Sequence, residues 1–172
     1  MAAAIGCLGA IGLVAPHGAV QAPAADAAVP KAKLLPGGRA VPPRSAPASV
    51  KRMIRAANHI RRRPYRWGGG HRRWNSRGYD CSGSVSYVLH AAGLLDYPLA
   101  SGGFMRWGGG GPGSWVRIYA NPGHVYMVIA GLRWDTSMTD DGDAHGPGWS
   151  EEMRSGRGFR LRHPLGLLRA GL

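Results

Sequence analysis

Apolar positions follow two different rhythms along this chain. Val85, Val88, Leu89 and Ala92 recur at i, i+3, i+4 and i+7, the spacing of one helix face. Gly93 supplies the stop, and Asp80, just ahead, is placed to accept from the free amides of the first turn as an N-cap. A shorter basic helix is predicted upstream. Val50, Met53, Ile54 and Ala57 form its apolar face, Ser49 its N-cap, and it ends before Pro64. Further on the period shortens to two. Residues 115–119 alternate with Val116 and Ile118 on one face, and strands are predicted again over 124–130 and 132–136. Asn121-Pro122-Gly123 turns the chain between the first pair, and Gly131 marks a short hairpin loop between the second. Phe159-Arg160-Leu161-Arg162 alternates like one more strand, ended by His163-Pro164. The glycine-rich passage over 101–114, punctuated by Phe104, Met105 and Trp107, reads as a long functional or mobile loop that could wall a groove.

The hairpin permits a geometric test. Across a two-residue loop, paired positions have an odd sum, so His124 shares a face with Asp135 and Ser137. With Ala130-Gly131 as the loop, Ser137 lies opposite His124 and Asp135 on the diagonal, roughly 7–8 Å away and within reach of a longer side chain. Asp135 could then orient the imidazole and stabilise its charged form. A slip of one residue would present Trp134 and Thr136 instead.

The ends and the composition change the picture in three ways. Residues 1–27 are small and apolar, like the hydrophobic region of a secretory signal, although no Lys or Arg stands near Met1. Residues 28–48 are rich in Ala and Pro and read as a disordered linker, which leaves 49–172 as the folded domain. The net charge of +13 implies polyanionic surroundings: nucleic acid, anionic lipid or an acidic cell-wall polymer. Nucleic acid is not expected, because no helix-turn-helix, zinc finger or RNA-binding motif is present and the aromatics are not interleaved with a basic stripe. Runs such as Arg61-Arg62-Arg63 read as solvated surface.

The chain has two cysteines, Cys7 in the signal-like segment and Cys81. Loss of that segment would leave one thiol and no disulfide, and a lone thiol in an exported protein is a liability or a working group. Cys81 follows the capping Asp80, where unpaired amides and the helix dipole favour thiolate over thiol. Ser82, Gly83 and Ser84 are small enough to let another group approach the sulfur. The bland alternative is a buried core cysteine; against it, Cys81 precedes the apolar stripe and is not part of it. No metal is expected, since the seven His are scattered and no CxxC exists. In Tyr65-Arg66-Trp67-Gly68-Gly69-Gly70-His71, the glycines let backbone pass close to something bulky, and no Gly-Lys-Ser/Thr follows to make a phosphate loop. His71 reads as structural, and Asp140-Asp141-Gly142-Asp143 as a solvated turn without the later Glu of an EF-hand.

Taken together, Pro64-Tyr65-Arg66-Trp67-Gly68-Gly69, Asp80-Cys81-Ser82-Gly83, Gly123-His124-Val125 and a polar residue on the next strand resemble the NlpC/P60 family of papain-like cell-wall cysteine peptidases. The resemblance covers roughly residues 50–168, and Asp-Cys-Ser-Gly is its most specific element. It implies an α+β fold with N-terminal helices packed on an antiparallel sheet. It implies hydrolysis of an amide in the peptide stem of peptidoglycan, commonly between D-glutamate and a diamino acid, by a secreted or envelope-associated enzyme that needs no cofactor and acts as a monomer. Carried over, Cys81, His124 and Asp135 are the catalytic residues, and Tyr65, Asp80 and Ser82 line the subsite for the start of the stem. Two departures stand out: the third catalytic position is often His in that family, and the 102–114 loop is unlike the usual spacer. A catalytically inactive wall-binding module, or an acyltransferase or amidase on the same scaffold, remains open at this point.

Overall fold

One helix of this protein is buried on every side, and the other elements are arranged around it. The structure, a computed structural model, describes Met1, residues 29–137 and residues 146–167. The central helix is α2 (Cys81–Ala91), preceded by α1 (Ala48–Ile60) and followed by a single turn, α3 (Ser101–Phe104). α2 packs against α1 on one side and a sheet on the other. Val85, Val88 and Leu89 enter the core with Val50, Met53, Ile54, Ala57 and Ile60 of α1. Its serines are buried too, and two find backbone partners: Ser84 Oγ donates to Cys81 O at 2.9 Å, and Ser86 Oγ accepts from Leu99 N at 3.1 Å. The helix ends as its sequence dictates. Gly93 takes φ +75°, its N–H donates to His90 O, and Leu94 N–H donates to Leu89 O, so two orphan carbonyls are satisfied.

The two-residue strands β1 (Lys33–Leu34) and β2 (Ala40–Val41) form a small hairpin of their own. The main sheet contains β3 (Gly109–Gly110), β4 (Val116–Ala120), β5 (Val125–Ile129), β6 (Leu132–Asp135), β7 (Gly148–Ser150) and β8 (Arg160–His163). Its order is β3-β8-β4-β5-β6-β7 and every pairing is antiparallel. β5 is buried along its whole length and faces α2. The β5–β6 register pairs Ile129 with Leu132 and Met127 with Trp134, an odd sum around an Ala130-Gly131 loop. The architecture is therefore α+β, with helices on one face of an antiparallel sheet.

Several expectations are corrected. α1 begins one residue before Ser49, on Pro47, with no side-chain cap; a proline there forgoes only an amide that needs no partner. The glycine-rich passage is partly built in: Phe104 is fully buried, and Gly109–Gly110 pairs with Arg162 and His163 of β8. Residues 29–48, expected as a disordered linker, are packed against the domain. Ala32 N donates to Ala130 O at 2.7 Å, and Ala32, Ala40 and Ala46 are buried in the core. Asn58 of α1 holds this segment. It accepts from Ala40 N at 2.9 Å, donates to Ala40 O at 2.8 Å, and accepts from Trp149 Nε1 at 3.1 Å. The signal-like segment and the acidic turn at 140–143 lie outside the described residues. No described helix is long and apolar enough to cross a membrane.

Candidate active site

The site is built where the start of α2 meets the start of β5. Asp80 is the N-cap of α2, in extended conformation, and its Oδ1 accepts from Gly83 N at 2.6 Å. The same carboxylate accepts from Ser82 Oγ at 3.1 Å and from Gly68 N at 2.9 Å, while His71 Nε2 stands 3.1 Å from both Asp80 Oδ1 and Ser82 Oγ. Asp80 therefore ties the 66–71 loop to the helix, with Oδ2 its less occupied oxygen. His71, expected to be structural, joins this network at the helix start.

Glycine makes this junction possible. A β-carbon on Gly83 would run into the carbonyl oxygen of Gly69, and one on Gly70 would come within 2.9 Å of Gly83 Cα. Backbone thus lies directly against the first turn of α2. Tyr65 and Tyr79 pair as a short parallel bridge, which brings the Tyr65 ring beside the helix start. Burial, and then the negative charges of Cys81 and Asp80, push the Tyr65 phenol above its usual range.

Cys81 is a free, buried thiol at the first position of α2. His124 comes from the turn before β5, which Asn121 shapes: its Oδ1 accepts from Gly123 N at 3.0 Å and from His124 N at 2.7 Å. His124 Nε2 donates to Asp135 Oδ1 at 2.9 Å. Cys81 stands near enough to the ring to act on its protonation. Burial works to lower the imidazole pKa, but the hydrogen bonds to Asp135 and Cys81 and their negative charge outweigh it, raising the group to about 9. Asp135 is entirely buried, yet its carboxyl lies below the usual range: burial, which raises it, is overcome by hydrogen bonding and attraction to His124, by Ser137 N and by Arg154.

The structure thus brings Cys81, His124 and Asp135 together, with Tyr65 close enough to feel the charges of Cys81 and Asp80, and Asp80 and Ser82 at the helix start. Ser137 does not extend the ladder opposite His124; its amide donates to Asp135 Oδ1 at 3.1 Å, as Thr136 N does at 2.8 Å. Sequence reasoning missed Asn121 as the shaper of the histidine turn, although an Asn opening a Pro-Gly turn is a readable signal. It also missed Arg154, whose Nη1 donates to Asp135 Oδ2 at 3.2 Å while its guanidinium lies over the rings of Tyr126 and Phe159 at 5.4 and 5.8 Å. No periodic pattern marks that residue.

Neither a protein-family model nor a curated protein matches the sequence. Among solved structures, the peptidoglycan hydrolase RipB from Mycobacterium tuberculosis is 28% identical, with a TM-score of 0.51 over 71% of this chain and 68% of that one. A mutated form of the resuscitation-promoting-factor-interacting protein RipA is 23% identical, with a TM-score of 0.50 over 67% of this chain and 62% of that one. An NlpC/P60 family protein from Bacillus cereus ATCC 10987 is 20% identical, with a TM-score of 0.45 over 74% of this chain and 42% of that one. The chain thus has an α+β fold similar to that of RipB, and the Tyr-x-Trp-Gly-Gly, Asp-Cys-Ser-Gly and Gly-His-Val elements that resemble the NlpC/P60 family lie together on it.

Proposed function

We propose that the chain is a cysteine-dependent hydrolase that cuts an amide in the peptide stem of peptidoglycan. The observation that carries this reading is the meeting of Cys81, the His124 ring and the Asp135 carboxylate. The description of RipB, 28% identical, as a peptidoglycan hydrolase supports the substrate class.

In this reading the Cys81 sulfur passes its proton to His124 and becomes the nucleophile. The thiolate attacks the amide carbonyl carbon and forms a tetrahedral oxyanion. The Cys81 backbone amide, which has no acceptor within its own helix, and the Tyr65 hydroxyl, kept protonated by its surroundings, donate to that oxygen. Removing one such donor costs about 2.7–4 kcal/mol of barrier. Protonated His124 gives its proton to the leaving amine, the C–N bond breaks, and an acyl-enzyme remains. The neutral imidazole then takes a proton from water, which attacks the thioester and releases the carboxylic acid. Asp135 holds Nε2–H throughout, keeping Nδ1 toward the sulfur. Tyr65, Asp80 and Ser82 face the start of the stem, with Asp80 Oδ2 available to a free amine. The bond between D-glutamate and a diamino acid is the one we assign. A wall-facing location, reached through the signal-like 1–27 segment, and action as a monomer complete the proposal.

Mass spectrometry of purified wall after incubation tests it. The wild-type chain should release stem-peptide fragments and a folded Cys81→Ala chain should not. Equal release by both would sink the reading.

A further inference from the structure

Beside the helix start lies a cleft of about 420 Å³ whose use the mechanism leaves open. Arg66, Arg72, Arg73 and Arg77 line it, and Gly68 and Gly70 belong to its wall. All four arginines are exposed. Among the described residues none of their guanidiniums is paired with a carboxylate. The nearest acid in the chain, Asp80, is nearly buried and already accepts from Gly68 N and Gly83 N. Between Lys51 and Tyr79 the sequence carries ten Lys and Arg and no Asp or Glu. Surface charge is ordinarily mixed in sign; four guanidiniums around one concavity leave an uncompensated positive field. Trp67, between two of the lining residues, is 89% exposed, an unusual position for a large ring unless something covers it.

Two glycines of this cleft also touch the start of α2. Gly68 bonds to the residue preceding Cys81, and Gly70 lies against Gly83 in the same first turn. The arginine cleft therefore adjoins the first turn of the helix that carries Cys81. Guanidinium matches carboxylate geometry with two parallel N–H donors. A glutamate residue in a stem has two carboxyl groups, and only one can be tied up in the amide to the diamino acid. We infer that the Arg66/Arg72/Arg73/Arg77 cleft binds the free carboxylate of the stem glutamate, so that the site prefers acidic stems to amidated ones. This rests on the proposed stem-peptide substrate.

Binding to full-length Cys81→Ala protein tests it without requiring turnover. Two glutamate-containing stem fragments serve as probes, one with the non-scissile carboxyl free and one with it amidated. Calorimetry at low salt should show the free acid bound roughly ten- to hundredfold more tightly, with a difference that shrinks as salt is added. R72Q/R73Q and R66Q/R77Q should each bring the free acid toward the affinity of the amide. Equal binding of the two fragments, or a preference that survives both double variants, overturns the inference. So does a wall phosphodiester polymer that displaces the acidic fragment and binds more tightly, since the cleft would then be a phosphate site. Wall hydrolysis by the wild type alongside equal binding would reject this inference alone. Absence of hydrolysis alongside discriminating binding would reject only the hydrolase reading.

Discussion

His124 Nε2 and Asp135 Oδ1 stand 2.9 Å apart across neighbouring strands, on a diagonal that an Ala130-Gly131 loop dictates. Asp135 is wholly buried and anionic, so its charge acts on the ring with little screening. Asp135→Asn keeps the shape and removes the charge. We expect the His124 pKa to fall from about 9 toward the ordinary 6.5, and hydrolysis near pH 8 to drop roughly hundredfold, within the usual weight of an acid–base group. NMR titration of the ring and a pH–rate profile measure both. An unchanged titration would show that Asp135 does not set the charge of the pair.

The same two groups shape stability against pH. His124 has a folded pKa raised from 6.5 to about 9. Its contribution is therefore complete below 6.5, declines above it, and is gone once pH has risen through 9. Asp135 is shifted downward from 3.8. Its contribution is present above 3.8 and is lost as pH falls through the lower folded value. Denaturant midpoints should accordingly form a plateau between about 4 and 6.5, with limbs on both sides. Asp135→Asn should flatten both limbs.

Arg154 should behave differently from Asp135, although the two touch at 3.2 Å. Arg154→Met takes away a cation and leaves the carboxylate in place, so the His124 pKa should stay near 9 or rise. The ring would lose part of its anchoring, and we expect kcat to fall several-fold with little change in KM. The pair is partly exposed, so the stability loss should be no more than about 1 kcal/mol. Arg154→Lys should restore part of the rate. A fall in the His124 pKa of Arg154→Met would contradict this assignment.

Gly83→Ala tests the crossing of the 66–70 loop over α2. Alanine is the better helix former by about 1 kcal/mol, yet its methyl would meet the Gly69 carbonyl. We expect a net destabilisation of about 1–3 kcal/mol, with lost activity because Cys81 lies two residues away. Gly102→Ala, in the short α3 with open space around it, is the control and should be neutral or slightly stabilising. Thermal denaturation of the pair separates the close approach from a general intolerance of alanine.

What could be read from the sequence was what local spacing controls. The helix after Asp80 follows from the Val85, Val88, Leu89 and Ala92 period. The His124–Asp135 relation follows from the parity of a two-residue loop, which admits few registers. What escaped reading depends on partners far along the chain. Residues 29–48 look like linker because alanine and proline carry no periodic signal, and their order comes from Asn58, Ala130 and the core. Arg154 is one arginine among many until Asp135 is seen beside it. Glycines 109 and 110 form a strand only because β8 presents its edge to them.

Ala32 N donates to the carbonyl of Ala130, the hairpin residue held at φ 45°, and the Lys31 stem packs over Gly131. The turn that sets the offset between imidazole and carboxylate is thus braced by Lys31 and Ala32. A truncation that stops before Lys31 spares this brace, whereas one that removes a few residues more would loosen a turn almost a hundred residues away. The offset between imidazole and carboxylate would then depend on a short stretch of chain that touches neither.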